Sequence, residues 1–122
     1  MPFEALSVDD QEDVRTLFRM VIEAANRGLF VRGAVSSGEE AVSRIDELDP
    51  DVVVMDQMMP GMDGIEATRA IRERRPGEIV IMCSAHLDDE LMMRARDAGI
   101  EVFLTKNDVG ALPDVLHAFA SG

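Results

Sequence analysis

Apolar residues occur along this chain in two patterns that alternate from beginning to end. Five short apolar runs predict strands, and five longer stretches with apolar residues every three or four positions predict helices with one buried face. The predicted strands cover residues 3–8, 30–35, 52–55, 79–83 and 100–104. The predicted helices cover residues 13–26, 64–75, 87–98 and 112–120, and a further one opens at Ser37 and is closed by Pro50.

Side chains suited to helix ends support these boundaries. Ser37 is followed three residues later by Glu40, the spacing of a capping box at the start of the second helix. Asp63 stands where it can cap the third helix, and Gly28 ends the first. Pro113 clashes inside a helix, so we place it in the first turn of the last one.

The strict alternation of strand and helix predicts an α/β fold, a parallel sheet with helices on both faces. The third run is continuously apolar, which is typical of a central strand buried on both sides. The sequence contains no internal repeat, linker or low-complexity segment. We therefore expect residues 1–122 to form a single domain, with no output domain within the chain.

The composition of the chain indicates in which compartment the protein works and which partners it does not bind. No apolar run approaches the ~20 residues of a membrane helix, and no basic leader precedes an apolar stretch at the start. The single cysteine, Cys83, cannot form an internal disulfide. These features favour a cytoplasmic protein. The net charge of −12 argues against direct binding to nucleic acid or to an anionic membrane.

Chemically capable residues follow the predicted strands. Asp9 and Asp10 follow the first, Asp56 the third and Ser84 the fourth, while Lys106, the only lysine in the chain, follows the fifth. Because ligands of open α/β sheets bind beyond the carboxyl ends of the strands, we expect these side chains to converge.

Three carboxylates in one pocket repel each other and favour a bound cation. Mg²⁺ is the natural partner because it prefers oxygen ligands. A metal ion and an ammonium together neutralise phosphoryl oxygens while a carboxylate attacks phosphorus, and a hydroxyl can donate a hydrogen bond to the transferred group. The residue set therefore indicates phosphoryl transfer to an aspartate.

Residues 53–64 read Val-Val-Met-Asp-Gln-Met-Met-Pro-Gly-Met-Asp-Gly. This stretch resembles the phosphorylation-site signature of response-regulator receiver domains, the output partners of sensor histidine kinases. Asp9-Asp10, Ser84-Ala85 and Lys106 match the rest of the family's pattern, so the resemblance covers the whole chain. It implies a flavodoxin-like, doubly wound sheet of five parallel strands in the order 2-1-3-4-5, with five helices.

The resemblance assigns a role to each residue at the metal and phosphate site. Asp56 is the implied phosphoacceptor and a Mg²⁺ ligand. Asp10 is implied to bind Mg²⁺ directly with Asp9 assisting, and the backbone carbonyl of Met58 is the third protein ligand. Lys106 is implied to pair with the phosphoryl group.

The resemblance also implies a switch. Ser84 would hold the phosphoryl group and move on activation, and Phe103 stands where the family has an aromatic residue that turns inward. The face built from the fourth helix, fifth strand and fifth helix would then change shape. Alternatively, Phe103 is a plain core residue.

The implied partners are a sensor histidine kinase or a histidine phosphotransfer protein, and a downstream protein or an output domain elsewhere. A homodimer through the fourth helix, fifth strand and fifth helix is a further expectation. No independent enzyme activity is expected beyond self-phosphorylation and autodephosphorylation.

Two positions depart from the family pattern. Asn107 follows Lys106 where many receivers have proline after a cis bond, so we expect a trans bond or a local adjustment here. Met58 is apolar where a polar side chain is frequent, and our hypothesis is that it limits water access and slows phosphate loss. His86, on the other side of the phosphoryl group, could offset this effect.

Three other functions remain open from the sequence. A haloacid-dehalogenase-type phosphatase uses the same groups but needs an acid where Met58 stands. A degenerate receiver would act only as an interaction module. A flavin or nucleotide binder would want a glycine-rich or hydroxyl-rich first loop, where this chain has Asp9 and Asp10. These two aspartates could also simply cap the first helix.

Overall fold

The computed structural model describes residues 2–122 and contains one five-stranded sheet with helices on both faces. The strands are β1 Phe3–Val8, β2 Leu29–Val35, β3 Val52–Met55, β4 Val80–Ser84 and β5 Val102–Thr105. The helices are α1 Glu12–Ala24, α2 Gly38–Leu48, α3 Gly64–Arg74, α4 Asp89–Asp97 and α5 Leu112–Ser121, with a 3₁₀ helix, η1, at Lys106–Ala111. All strand pairs are parallel, in the order β2-β1-β3-β4-β5. The predicted sheet, its order and the five helices are confirmed.

The central strand β3 separates two cores. Val53 and Met55 face a cluster that includes residues of α2, α3 and α4, whereas Val52 and Val54 face a cluster that includes residues of α1 and α5. All four are buried. The alternation of side chains across the sheet explains why this strand is apolar on every residue.

Caps fix the starts of α2 and α3. Asp63 and Glu66 form the complete capping box on α3. At α2, the Glu40 N–H donates to the Ser37 hydroxyl at 3.0 Å, but the Glu40 carboxylate accepts from the Ser36 N–H. The predicted capping box at α2 is thus only half correct, because Glu40 reaches one residue beyond the cap.

The last third of the chain differs most from the prediction. Helix α4 begins at Asp89 rather than at residue 87, because Asp88 accepts from the Leu91 N–H and ends the loop there. Strand β5 is displaced toward Thr105, and η1, which the sequence pattern did not indicate, follows it.

Within residues 2–122 no peptide bond is cis, so the bond between Lys106 and Asn107 is trans as expected. Among the same residues, no helix is both long and apolar enough to cross a membrane.

Candidate functional site

The three aspartates of the site follow two neighbouring strands, β1 and β3. The register of β1 and β3 pairs Val8 with Met55, so Asp9 and Asp56 emerge side by side, and the Asp56 N–H donates to the Val8 carbonyl at 2.9 Å. Carboxylate oxygens of Asp9, Asp10 and Asp56 lie within 4.8 Å of one another. Asp9 and Asp56 are buried, and Asp10 is exposed. The cluster is therefore open to solvent on the Asp10 side.

Lys106 extends from the end of β5 into this cluster. Its Nζ lies 2.9 Å from Asp9 Oδ2 and 3.4 Å from Asp56 Oδ1. Among the described residues, these two buried oxygens find no other polar partner. One ammonium faces three carboxylates, which leaves an excess of negative charge that a cation would neutralise.

The same surroundings set the protonation of the site. Burial, and then the charge of Asp9, raises the pKa of Asp56 to about 6, while Lys106 opposes the shift. Burial alone would lower the pKa of Lys106, but its hydrogen bond to Asp9 and the Asp56 charge leave it raised. Asp56 is thus mainly a carboxylate above pH ~7 and Lys106 an ammonium, the forms that a nucleophile and an anion-binding group require.

Ser84 ends β4, the strand between β3 and β5. Its hydroxyl oxygen is buried and makes no hydrogen bond to the described residues. Burial raises the pKa of the neighbouring Cys83 thiol to about 12, so this cysteine stays protonated. The Ser84 hydroxyl thus keeps free hydrogen-bonding capacity at this edge of the sheet.

Met58 and His86 lie outside the acidic cluster, on the walls of one cleft. The Met58 side chain is 72% exposed. Met58, His86 and Leu91 help to line a cleft of about 370 Å³ between the β3–α3 loop and α4. The two positions expected to flank a phosphoryl group thus share one cleft.

Phe103 is half-buried on β5. It packs against the core cluster on the α4 side of the sheet, and the Arg96 guanidinium carbon lies 5.3 Å from its ring centroid. In this conformation Phe103 is partly a core residue, and its role as a switch stays a prediction.

The sequence interpretation missed two contributors to the site. Gln57, directly after Asp56, is buried and accepts from the Ile65 N–H of α3 at 2.9 Å. The Arg15 guanidinium donates to the Asp9 carbonyl at 2.8 Å. A polar residue directly after a buried strand was the one available signal for Gln57. Asp9 itself accepts from the Gln11 N–H at 2.9 Å, although it is not the N-cap of α1.

The sequence model of the response regulator receiver domain matches residues 5–117. Chemotaxis protein CheY of Halobacterium salinarum is 38% identical over 123 residues, which cover 97% of this chain and 100% of CheY. Response regulator protein VraR of Staphylococcus saprophyticus is 34% identical over 87% of this chain, which spans only 50% of VraR.

Among solved structures, the CheX-CheY-BeF3-Mg²⁺ complex of Borrelia burgdorferi contains a similar chain. The TM-score is 0.85 at 28% identity, over 98% of this chain and 90% of that one. The family match supports a phosphoacceptor signalling switch, and receiver domains interact with histidine kinases and phosphotransfer proteins. This chain, with its five-stranded parallel sheet and its acidic cluster at the strand ends, belongs to the response regulator receiver domain family.

Proposed function

We propose that this domain is a phosphorylation-dependent switch that accepts a phosphoryl group on Asp56 from a sensor histidine kinase or a histidine phosphotransfer protein, with Mg²⁺. The observation that carries the proposal is the position of Asp56. Its carboxylate is 3% exposed and lies beside two further aspartates and the only lysine of the chain.

The donor atoms suit Mg²⁺. Three carboxylates lie within reach of one ion, and Asp9 Oδ2 and Asp56 Oδ1 have no polar partner but Lys106 among the described residues. We propose that Asp10, Asp56 and the Met58 carbonyl hold Mg²⁺ directly and that Asp9 assists. When bound, the ion neutralises charge on the carboxylates and on the phosphoryl oxygens. The Borrelia chain was crystallised with Mg²⁺ and BeF3, which supports the assignment.

The chemistry follows from the protonation states. A carboxylate oxygen of Asp56 attacks phosphorus, the phosphorus–nitrogen bond of the donor phosphohistidine breaks, and the imidazole leaves with the electron pair. The Lys106 ammonium pairs with a phosphoryl oxygen, since it already lies 3.4 Å from Asp56 Oδ1. The Ser84 hydroxyl, which has no hydrogen-bond partner in the described part of the chain, donates a hydrogen bond to a second phosphoryl oxygen.

The proposed readout is a shift between two conformations. Phosphoryl contacts draw Ser84 and Lys106 inward, Phe103 rearranges, and the face of α4, β5 and α5 changes shape. That face would then bind a downstream protein, an output domain or a second copy of the chain. We propose that the domain works in the cytoplasm as one receiver unit, without binding nucleic acid itself.

The test is phosphorylation with acetyl phosphate and Mg²⁺, followed by intact mass. The wild-type chain is expected to gain one phosphoryl group and the Asp56→Asn variant none. Asp63→Asn is the matched control: Asp63 belongs to the same loop, and asparagine still caps α3, so its phosphorylation should be unchanged. No addition from acetyl phosphate or phosphoramidate would instead favour the degenerate receiver.

A further inference from the structure

We propose that Gln57 is a positioning residue that fixes the backbone between Asp56 and Met58 and thereby sets the geometry of the Mg²⁺ site. The inference rests on the proposed function, because it takes Asp56 and the Met58 carbonyl as ligands of that ion. Gln57 lies between these two residues in the chain. Its own side chain bonds elsewhere, so its influence on the ion is indirect.

Gln57 binds the start of α3 with two different oxygens. Its side-chain Oε1 accepts from the Ile65 N–H at 2.9 Å, and its backbone carbonyl accepts from the Gly64 N–H at 3.0 Å. Gln57 is 4% exposed and Ile65 is fully buried, so water cannot replace the side-chain bond without rearrangement. Losing the acceptor would leave the Ile65 N–H unsatisfied.

The backbone around Gln57 leaves little room for movement. A Cβ added to Gly64 would lie 2.9 Å from the Gln57 Cα and would overlap the Asp56 carbonyl oxygen. The start of helix α3 therefore lies close against the peptide that joins Asp56 to Gln57. Since both ends of the β3–α3 loop meet at Gln57, its two hydrogen bonds restrict the rotations that aim the Asp56 carboxylate and the Met58 carbonyl.

A nearby hydrogen bond, made by Thr68, supplies a control that distinguishes positioning of the metal site from general stabilisation of the fold. The Thr68 hydroxyl donates to the Gly64 carbonyl at 2.7 Å, and both residues are buried. This bond stabilises the first turn of α3 but involves no residue between Asp56 and Met58. Thr68→Val, which keeps the side-chain shape, should lower stability without changing the metal site.

The test is a calorimetric titration of the unphosphorylated chain with Mg²⁺ alone, at constant ionic strength. Gln57→Met has similar length and no oxygen acceptor. We expect it to raise the Mg²⁺ Kd about tenfold, as the loss of supporting partners does at other metal sites. Thr68→Val should keep the wild-type Kd, although both variants unfold at lower temperature. Gln57→Asn, whose amide is one methylene too short to reach Ile65, supplies a second variant should Gln57→Met not fold.

Each outcome decides a specific point. A Mg²⁺ Kd that is unchanged in Gln57→Met, or raised equally in Thr68→Val, would overturn the positioning role and leave the proposed function intact. Absence of Mg²⁺ binding by the wild-type chain would overturn the metal site as well. Phosphorylation of Asp56, measured separately by mass, distinguishes that failure from a failure of the switch as a whole.

Discussion

Burial of the Asp56 carboxylate affects both its protonation and the stability of the folded state. The carboxylate is buried next to Asp9, and these two facts raise its pKa to about 6. In the unfolded chain the same group titrates near pH ~4. The folded state therefore binds a proton more tightly than the unfolded state. Consequently the contribution of Asp56 to the free energy of unfolding falls as the pH rises from about 4 to about 6, and stays lower above that range.

Replacing Asp56 by asparagine removes the free-energy cost of holding a charged carboxylate buried next to Asp9. Without Mg²⁺ at neutral pH, Asp56→Asn should be more stable than the wild type by about 1–2 kcal/mol, a value reduced for screening at the open side of the site. Below pH ~4 the difference should vanish, because both states of the wild type are protonated. Urea unfolding followed by circular dichroism at the two pH values measures this, and equal stabilities at neutral pH would contradict it.

Met58 provides a second test at the residue scale. If its apolar side chain keeps water from the phosphoryl group, Met58→Asn should shorten the phosphoryl lifetime about twofold to fivefold, a barrier change of about 0.5–1 kcal/mol. The lifetime is followed by intact mass after removal of the phosphodonor. Met93→Asn is the control, since Met93 on α4 is similarly exposed, at 66%. An unchanged or longer lifetime in Met58→Asn would refute the hypothesis.

At the scale of elements, the start of α3 lies against the backbone at the beginning of the β3–α3 loop. Glycine is required at residue 64 because any side chain would collide with backbone atoms of Asp56 and Gln57, which cannot move aside easily. The requirement is one of space, since the φ angle of Gly64 is not positive. The local sequence pattern marks only a helix start there.

Gly64→Ala should therefore lower the free energy of unfolding by about 1–3 kcal/mol, the range typical of overpacking. Gly77→Ala is the matched control, because a Cβ at residue 77 meets no atom of residues 2–122 within 4 Å. The stability of this variant should stay within about 0.5 kcal/mol of wild type. Urea denaturation of the three chains gives the comparison. Equal effects of the two substitutions would show that the backbone at the start of α3 can move to accommodate the added Cβ, which would contradict the prediction.

Arg75 joins three elements at the opposite edge of the sheet. It follows α3, lies 3.1 Å from the Glu78 carboxylate before β4, and also contacts Asp49 after α2. Glu78 is buried, and burial raises its pKa despite the arginine. Removing Arg75 would leave a buried carboxylate without its partner.

Arg75→Met should cost about 2–4 kcal/mol of unfolding free energy at neutral pH, and less in acid, where Glu78 becomes protonated. Arg74→Met, which breaks only an exposed pair with Asp46, should cost at most about 1 kcal/mol. Denaturation at neutral and acid pH compares the variants. A pH-independent loss in Arg75→Met would show that lost packing, rather than the unpaired Glu78, dominates.

At the scale of the whole molecule, the net charge of −12 on 122 residues should govern the response to salt. Screening shortens the Debye length from about 30 Å at 0.01 M to about 3 Å at 1 M. The surface ion pairs lost to screening contribute little each, whereas repulsion acts over the whole surface. We expect the Tm to rise with KCl over this range, measured without Mg²⁺. A falling Tm would show that ion pairs outweigh the repulsion.

The sequence by itself determined the alternation of strands and helices, the central position of β3, and the set of residues that follow the strands. These follow from local patterns, because burial on one or both faces imposes a spacing that can be read in one dimension. The family resemblance around Asp56 supplied the strand order. Even the start of α3 was readable, since Asp63 and Glu66 form their cap three residues apart.

Only the tertiary structure decided which of these groups touch. It placed Lys106 nearer to Asp9 than to Asp56, left the Ser84 hydroxyl without a hydrogen bond to any residue from 2 to 122, and bonded Gln57 to Ile65 across the β3–α3 loop. It also showed that residues 106–111 form the 3₁₀ helix η1, although their sequence has no periodic pattern of apolar residues. Such contacts depend on how far a helix approaches a strand and where long side chains end, and these distances are set by packing between elements that are distant in sequence.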